Sequence, residues 1–181
     1  MKKVYLIGFR GTGFQNSAYA NEPVLIRSGH VGFSFEGIRE NILGFHPAQD
    51  VIDSAGGDEI VIEKLKNGEN FDGILQADRA IFTRAAELVK HGLRTTVWQI
   101  AIELSDEDFE RVQRQTLQWY TEKKRFTYAF PARTGIPSGE QDNCATFPRR
   151  LGLTLPESSG QLVKFIAALE NAGERWKPDD R

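Results

Sequence analysis

Apolar positions alternate with polar ones in some stretches of the chain and recur at helical spacing in others, the pattern of a mixed α and β protein. Val4 to Phe9 is a short apolar run closed by Gly8, Gly11 and Gly13, which reads as a buried strand followed by a glycine-rich loop. From Pro23 to Glu36 β-forming residues dominate. After Gly29 the chain alternates, with Val31, Phe33 and Phe35 on one face and His30, Gly32 and Ser34 on the other. Ile42 to His46 resumes the apolar character and completes a hairpin. With Gly37 to Arg39 as a three-residue loop, the register sets His30 opposite His46 on one face; a two-residue loop puts them on opposite faces.

Residues 48 to 73 carry weaker signals: a polar stretch around Gly56 and Gly57, a possible strand at Ile60 to Leu65, and a turn at Asn67 and Gly68. Asp78 can cap a helix that carries Ile81, Ala85, Leu88 and Val89 on one face, with His91 and Gly92 at its end. Thr96 to Leu104 has strand periodicity, with Thr96, Trp98, Ile100, Ile102 and Leu104 on one face. The clearest helix is Ser105 to Lys124. Ser105 and Asp108 form a capping box, Phe109, Val112, Thr116 and Trp119 or Tyr120 follow at helical spacing, and Lys123, Lys124 and Arg125 sit at the end. A last helix runs from about Ser158, with Gln161 completing its cap, through Leu162, Phe165, Ile166 and Leu169 to Gly173. Residues 1–173 read as a single domain, and 174–181 as a polar, frayed tail in which Trp176 has no evident role.

The 181 residues include 23 basic and 25 acidic side chains, a net charge of -2, which offers no bulk positive field for nucleic acid or an anionic bilayer. The apolar run at the N-terminus is too short for a signal peptide or a membrane span. The expectation is a protein without an integral membrane segment, cytoplasmic or exported by a route that needs no signal peptide. One cysteine excludes an internal disulfide and a multi-cysteine zinc cluster. The glycine-rich loop is not a phosphate cradle, because Phe14 follows Gly13 where such a loop needs lysine.

The remaining chemistry gathers at His30, His46 and the segment Gln141, Asp142, Asn143, Cys144. A thiol attacks as thiolate, so a catalytic cysteine needs a base and a positive local potential. Asp142 or Asn143 can cap a short helix with Cys144 in its first turn, whose unpaired N–H groups face the sulfur and can hold an oxyanion. His30, on the polar side of its strand, is the natural base, and His46 is placed to orient it. The bland alternative is a cysteine that is a small buried hydrophobe and histidines that are satisfied structural partners. No metal or cofactor is called for. Loops at Gly11 to Asn21 and Arg133 to Gly139 are expected to border the cleft.

Gly-His-Val-Gly at 29 to 32 on a strand, a second histidine at 46 and a downstream Asn-Cys at 143 to 144 resemble the circularly permuted papain-like peptidases of the NlpC superfamily. That group includes the lecithin:retinol acyltransferase-like proteins and their bacterial hydrolase relatives. The resemblance implies an α+β fold in which a small antiparallel sheet carrying the base packs against the helix carrying the nucleophile. It implies Cys144 as nucleophile, His30 as general base and His46 as the third polar group. Ala145 to Pro148 depart from the acyltransferase branch, where an acidic residue and a histidine follow the cysteine. The expected function is a thiol-dependent hydrolase that cleaves an amide or ester through an acyl-enzyme. A peptide or peptidoglycan-type amide is favoured over a lipid ester. The alternative is a non-catalytic binding module on the same fold that presents its loops to a protein partner.

Overall fold

The β-branched and aromatic residues at the start of the chain form β1 (Lys2–Arg10), the strand on which the rest of the sheet is laid. The computed structural model describes residues 1–11, 24–36, 41–88, 96–130, 141–156 and 161–178. Among them, β1 is followed by α1 (Val24–Ser28), β2 (Gly29–Phe35), β3 (Leu43–Pro47), α2 (Gln49–Ala55), α3 (Asp58–Lys66) and β4 (Phe71–Ala77). Then come α4 (Arg79–Leu88), β5 (Val97–Leu104), α5 (Asp106–Thr121), β6 (Phe126–Tyr128), β7 (Gln141–Asp142), a 3-10 helix (Phe147–Leu151), α6 (Leu162–Ala172) and β8 (Glu174–Arg175).

The eight described strands belong to one sheet in the order β7-β6-β4-β3-β2-β1-β5-β8. Every pairing is antiparallel except that of β6 with β7. The chain is thus mixed α and β, with a sheet larger than the small one expected. Both faces of its centre are buried. Val4 and Leu6 join Val31, Phe33, Phe35 and Phe45 in one core, while Tyr5, Ile7 and Phe9 join Ile42, Phe82 and Val97 in the other. That division follows from the two-residue side-chain period of a strand. Helix α6 lies close on β1 at Gly8, where a methyl group would stand 2.5 Å from Ile166 Cδ1.

The β2 and β3 register pairs Gly32 with Gly44 and Phe33 with Leu43, the alignment that sets His30 across from His46. Pairing between β2 and β3 ends at Gly32 and Gly44, and beyond it His30 pairs with Phe9 of β1 and His46 with Ile74 of β4. The loop at 37–40 lies outside the described residues.

Several expectations are corrected. Ile60 to Leu65 is not a strand: it belongs to α3, which buries Val61 and Leu65, one helical turn apart. The β-branched run is read by its neighbours rather than by its propensity, and the strand of this region is β4. Gly56, in the left-handed conformation at φ 97°, ends α2 and lets α3 follow directly. Val24–Ser28 is a short helix rather than extended chain, and Pro23 lies outside the described residues. Gln161 stands at the α6 N-cap but makes no side-chain capping bond. The tail is not frayed through 178: Glu174 and Arg175 pair with Gln99 and Trp98, and Trp176 is buried against Phe82 with its backbone N–H on the Val97 carbonyl. The Ser105 capping box forms as expected, with the Asp108 N–H donating to Ser105 Oγ at 3.1 Å. Val89, His91 and Ser158 lie outside the described residues. No described helix is long and apolar enough to cross a membrane.

Candidate functional site

Asp78 ends the turn between β4 and α4. Its backbone carbonyl accepts from the Ile81 and Phe82 N–H groups, as the helix-capping expectation requires, but its side chain does something else. The carboxylate, 1% exposed, reaches across to both histidines. His30 Nε2 is 2.6 Å from Oδ2 and His46 Nε2 is 2.5 Å from Oδ1. An ionised carboxylate only accepts, so each Nε2 carries its hydrogen and donates it. Space for this comes from Gly44: a methyl group there would overlap Asp78 Oδ2 and lie 2.7 Å from His30 Nε2. The imidazoles themselves are 4.6 Å apart between ring centres.

The expected role of His46 is corrected here. Asp78, not His46, holds the far nitrogen of His30, and His46 occupies the second oxygen of the same carboxylate. Sequence reasoning placed Asp78 only as a helix cap. The local residues carry no sign that its side chain turns toward β2 and β3, because that depends on three separate segments meeting.

With Nε2 so engaged, His30 Nδ1 is left buried and without a hydrogen-bond partner among the described residues. Cys144 lies near enough to act on the ring, and with Asp78 it favours the charged imidazole. Burial opposes a charge on His30, yet attraction to the Asp78 carboxylate and to Cys144 outweighs it and raises the pKa to about 10. For Asp78, burial works against ionisation, but the two imidazoles hold its pKa down to about 2. His46 is shifted the other way: burial lowers its pKa, and the charge on His30 adds to that. The cluster at neutral pH is therefore a His30 cation, an Asp78 anion and a neutral His46.

Cys144 sits in a tight turn rather than in an α-helix, another departure from expectation. Asn143 does cap it: Oδ1 accepts from the Ala145 N–H at 2.9 Å and the Thr146 N–H at 3.0 Å, and Thr146 Oγ1 accepts from the Asn143 N–H at 2.9 Å. Phe147 N–H bonds to the Asn143 carbonyl, and the chain continues as the 3-10 helix, with Pro148 in its first turn. Two N–H groups expected to be open are thus used by the turn itself. The turn is anchored on both sides. Asp142, 1% exposed, accepts from Arg149 Nε at 3.1 Å and Arg150 Nε at 2.8 Å. Phe147 stacks on Phe45 at 4.3 Å and is flanked by Trp119 and Phe126.

Tyr128 also went unforeseen. It is buried, and its hydroxyl adjoins both the backbone N–H and the side chain of Cys144. Burial, reinforced by Cys144, keeps the phenol protonated by raising its pKa well above the ordinary value. Cys144 is 6% exposed and lines a cavity of about 580 Å³, together with Tyr128, Asn143, Ser28 and Gly29. The segments 12–21 and 133–139, expected to border the cleft, lie outside the described residues.

His30, His46 and Asp78 have ligand types that can hold a metal ion. The 2.5 and 2.6 Å separations are those of charge-assisted hydrogen bonds. Ligands of one tetrahedral zinc, at bond lengths near ~2.1 Å, stand roughly 3.4 Å apart. The arrangement fits proton sharing rather than ligation. No family model, curated protein or solved structure matches the chain.

Proposed function

We propose that this chain is a thiol-dependent acyl hydrolase of the permuted papain-like type, with Cys144 as nucleophile, His30 as general base and acid, and Asp78 as the residue that positions His30. The observation that carries this reading is a fully buried imidazole fixed by a carboxylate on Nε2, with an unpartnered Nδ1, on a ring whose charge the protein's one thiol favours. His46 completes the cluster by holding Asp78 from its other oxygen.

In the proposed reaction the His30 cation already holds on Nδ1 the proton drawn from the thiol, and the sulfur attacks the carbonyl carbon of an amide or ester. As the C–S bond forms, the carbonyl π electrons move onto oxygen. Because Asn143 already occupies the Ala145 and Thr146 N–H groups and the Cys144 N–H is turned to the Tyr128 oxygen, the donor for this oxyanion is the Tyr128 hydroxyl. Collapse breaks the bond to the leaving nitrogen or oxygen, which takes the proton from His30. Water then attacks the thioester, gives its proton to His30 and releases the acid as the C–S electrons return to sulfur. A peptide or peptidoglycan-type amide remains the favoured substrate class, ahead of a lipid ester.

The test is acyl-enzyme trapping. With an activated aryl acetate the intact mass should rise by one acetyl group, located on Cys144, in a burst that is absent in Cys144→Ala and strongly slowed in His30→Ala. Acetylation confined to lysines, or unchanged in His30→Ala, refutes the reading. The small exposure of Cys144 favours a second reading, a binding module with a buried structural thiol, and in that case the folded protein shows no burst.

A further inference from the structure

The cavity beside Cys144 has an asymmetric lining. Its charged residues, among those described, are Arg27 and Lys66, and no carboxylate faces it. Lys66, exposed at the end of α3, makes no ion pair among the described residues. Arg27 is paired with Glu59 through one terminal nitrogen, but its Nε is buried without a partner. Leu25, Ile62, Leu162 and Val163 supply an apolar wall, and Val163 is 68% exposed there although aliphatic. A second cavity of about 360 Å³ shares Arg27, Ser28, Ile62 and Lys66 and adds Glu59 and Glu63. The two cations therefore stand between the thiol cavity and the acidic residues.

Resting on the hydrolase reading above, we propose that this cavity selects acyl donors that carry a carboxylate on an aliphatic arm. Arg27 and Lys66 hold the anion, and Leu25, Ile62 and Leu162 take the methylene groups. Two cations with unsatisfied donor capacity beside an apolar wall recognise that combination, since the anion gains charge-assisted hydrogen bonds while the chain leaves water. A cationic arm is disfavoured by the same pair, and a neutral arm gains only the apolar part.

The experiment compares two thiol reagents that differ only in charge: maleimidohexanoate and its neutral amide. Each adds to Cys144 by forming one C–S bond, with a proton taken up at the neighbouring carbon, so neither needs the hydrolytic steps. Relative to free cysteine in the same buffer, the folded protein should prefer the acid over the amide by about fivefold, the size of one partly exposed charge contact. The preference should shrink as salt is raised. Lys66→Gln should lower the ratio toward that of free cysteine, and Glu59→Gln, which releases Arg27, should keep or increase it. An acid-to-amide ratio equal to that of free cysteine, or one that Lys66→Gln leaves unchanged, overturns anion selection while rapid reaction with the amide still upholds the nucleophile. If neither reagent reacts faster with the folded than with the unfolded chain, the nucleophile falls, and anion selection with it.

Discussion

Replacing Asp78 by Asn tests the cluster with almost no change in shape. In the native protein two N–H donors, His30 Nε2 and His46 Nε2, meet two carboxylate oxygens at 2.6 and 2.5 Å, and all three side chains are buried. An amide offers one accepting oxygen and a donor in place of the second, so one imidazole must change tautomer or lose its bond. The variant also leaves a buried imidazolium without its counter-charge. Removing one partner from a buried ion pair costs about 3–5 kcal/mol, a large share of the ~5–15 kcal/mol that holds a domain folded. Burial, the largest influence on His30, is then opposed by Cys144 alone, so its pKa should drop from about 10. Urea unfolding at pH 7 reads the stability, and NMR of the imidazole ring carbons reads the charge state. A variant within about 1 kcal/mol of wild type, with His30 still protonated at neutral pH, would refute the reasoning.

Gly44→Ala should disrupt the same cluster from the backbone side, because the added methyl overlaps Asp78 Oδ2; loss of more than tenfold in iodoacetamide reactivity of Cys144 checks it, and wild-type reactivity contradicts it. Asn143→Ala releases the Ala145 and Thr146 N–H groups and should cost about 1–3 kcal/mol in urea unfolding, as expected for lost buried capping bonds. Trp176→Ala should destabilise by about 3–5 kcal/mol, since the ring is buried against Phe82; a change under about 1 kcal/mol would mean the tail is not docked in solution. Stability should also depend on pH on both sides of neutrality. The Asp78 contribution is complete above about pH 4 and lost as pH falls toward about 2, while His46, held neutral, adds destabilisation below about pH 6.5. The His30 contribution is complete below about pH 6.5 and lost as pH rises through about 10, so the alkaline fall in urea midpoint should flatten in His30→Gln.

Where a structural outcome depends on neighbours in the chain, it was legible in the residues. Ser105 and Asp108 announce the start of α5, and the three-residue loop hypothesis already aligned His30 with His46, because a strand's two-residue period ties loop length to facing. Outcomes that depend on distant segments were not. Ile60 to Ile62 favour a strand by propensity, yet the spacing of Val61 and Leu65 against the core decides for a helix. Trp176 looks idle until Phe82, nearly a hundred residues earlier, is seen beneath it. At the site, the chemistry of Cys144 and His30 could be argued from residue type. Asp78 and Tyr128 could not, since an aspartate before a helix and a tyrosine on a strand have ordinary structural duties.

The central claim is that His30 and Cys144 act as one proton-sharing unit, and the rate of Cys144 alkylation by iodoacetamide across pH tests it most directly. The account predicts that wild-type Cys144 reacts at least tenfold faster than an unactivated thiol at pH 6, where a free cysteine, with a pKa near ~8.5, is almost wholly protonated, and that His30→Ala abolishes the advantage. A profile in the folded protein that follows an ordinary thiol and is the same with or without His30 would contradict it.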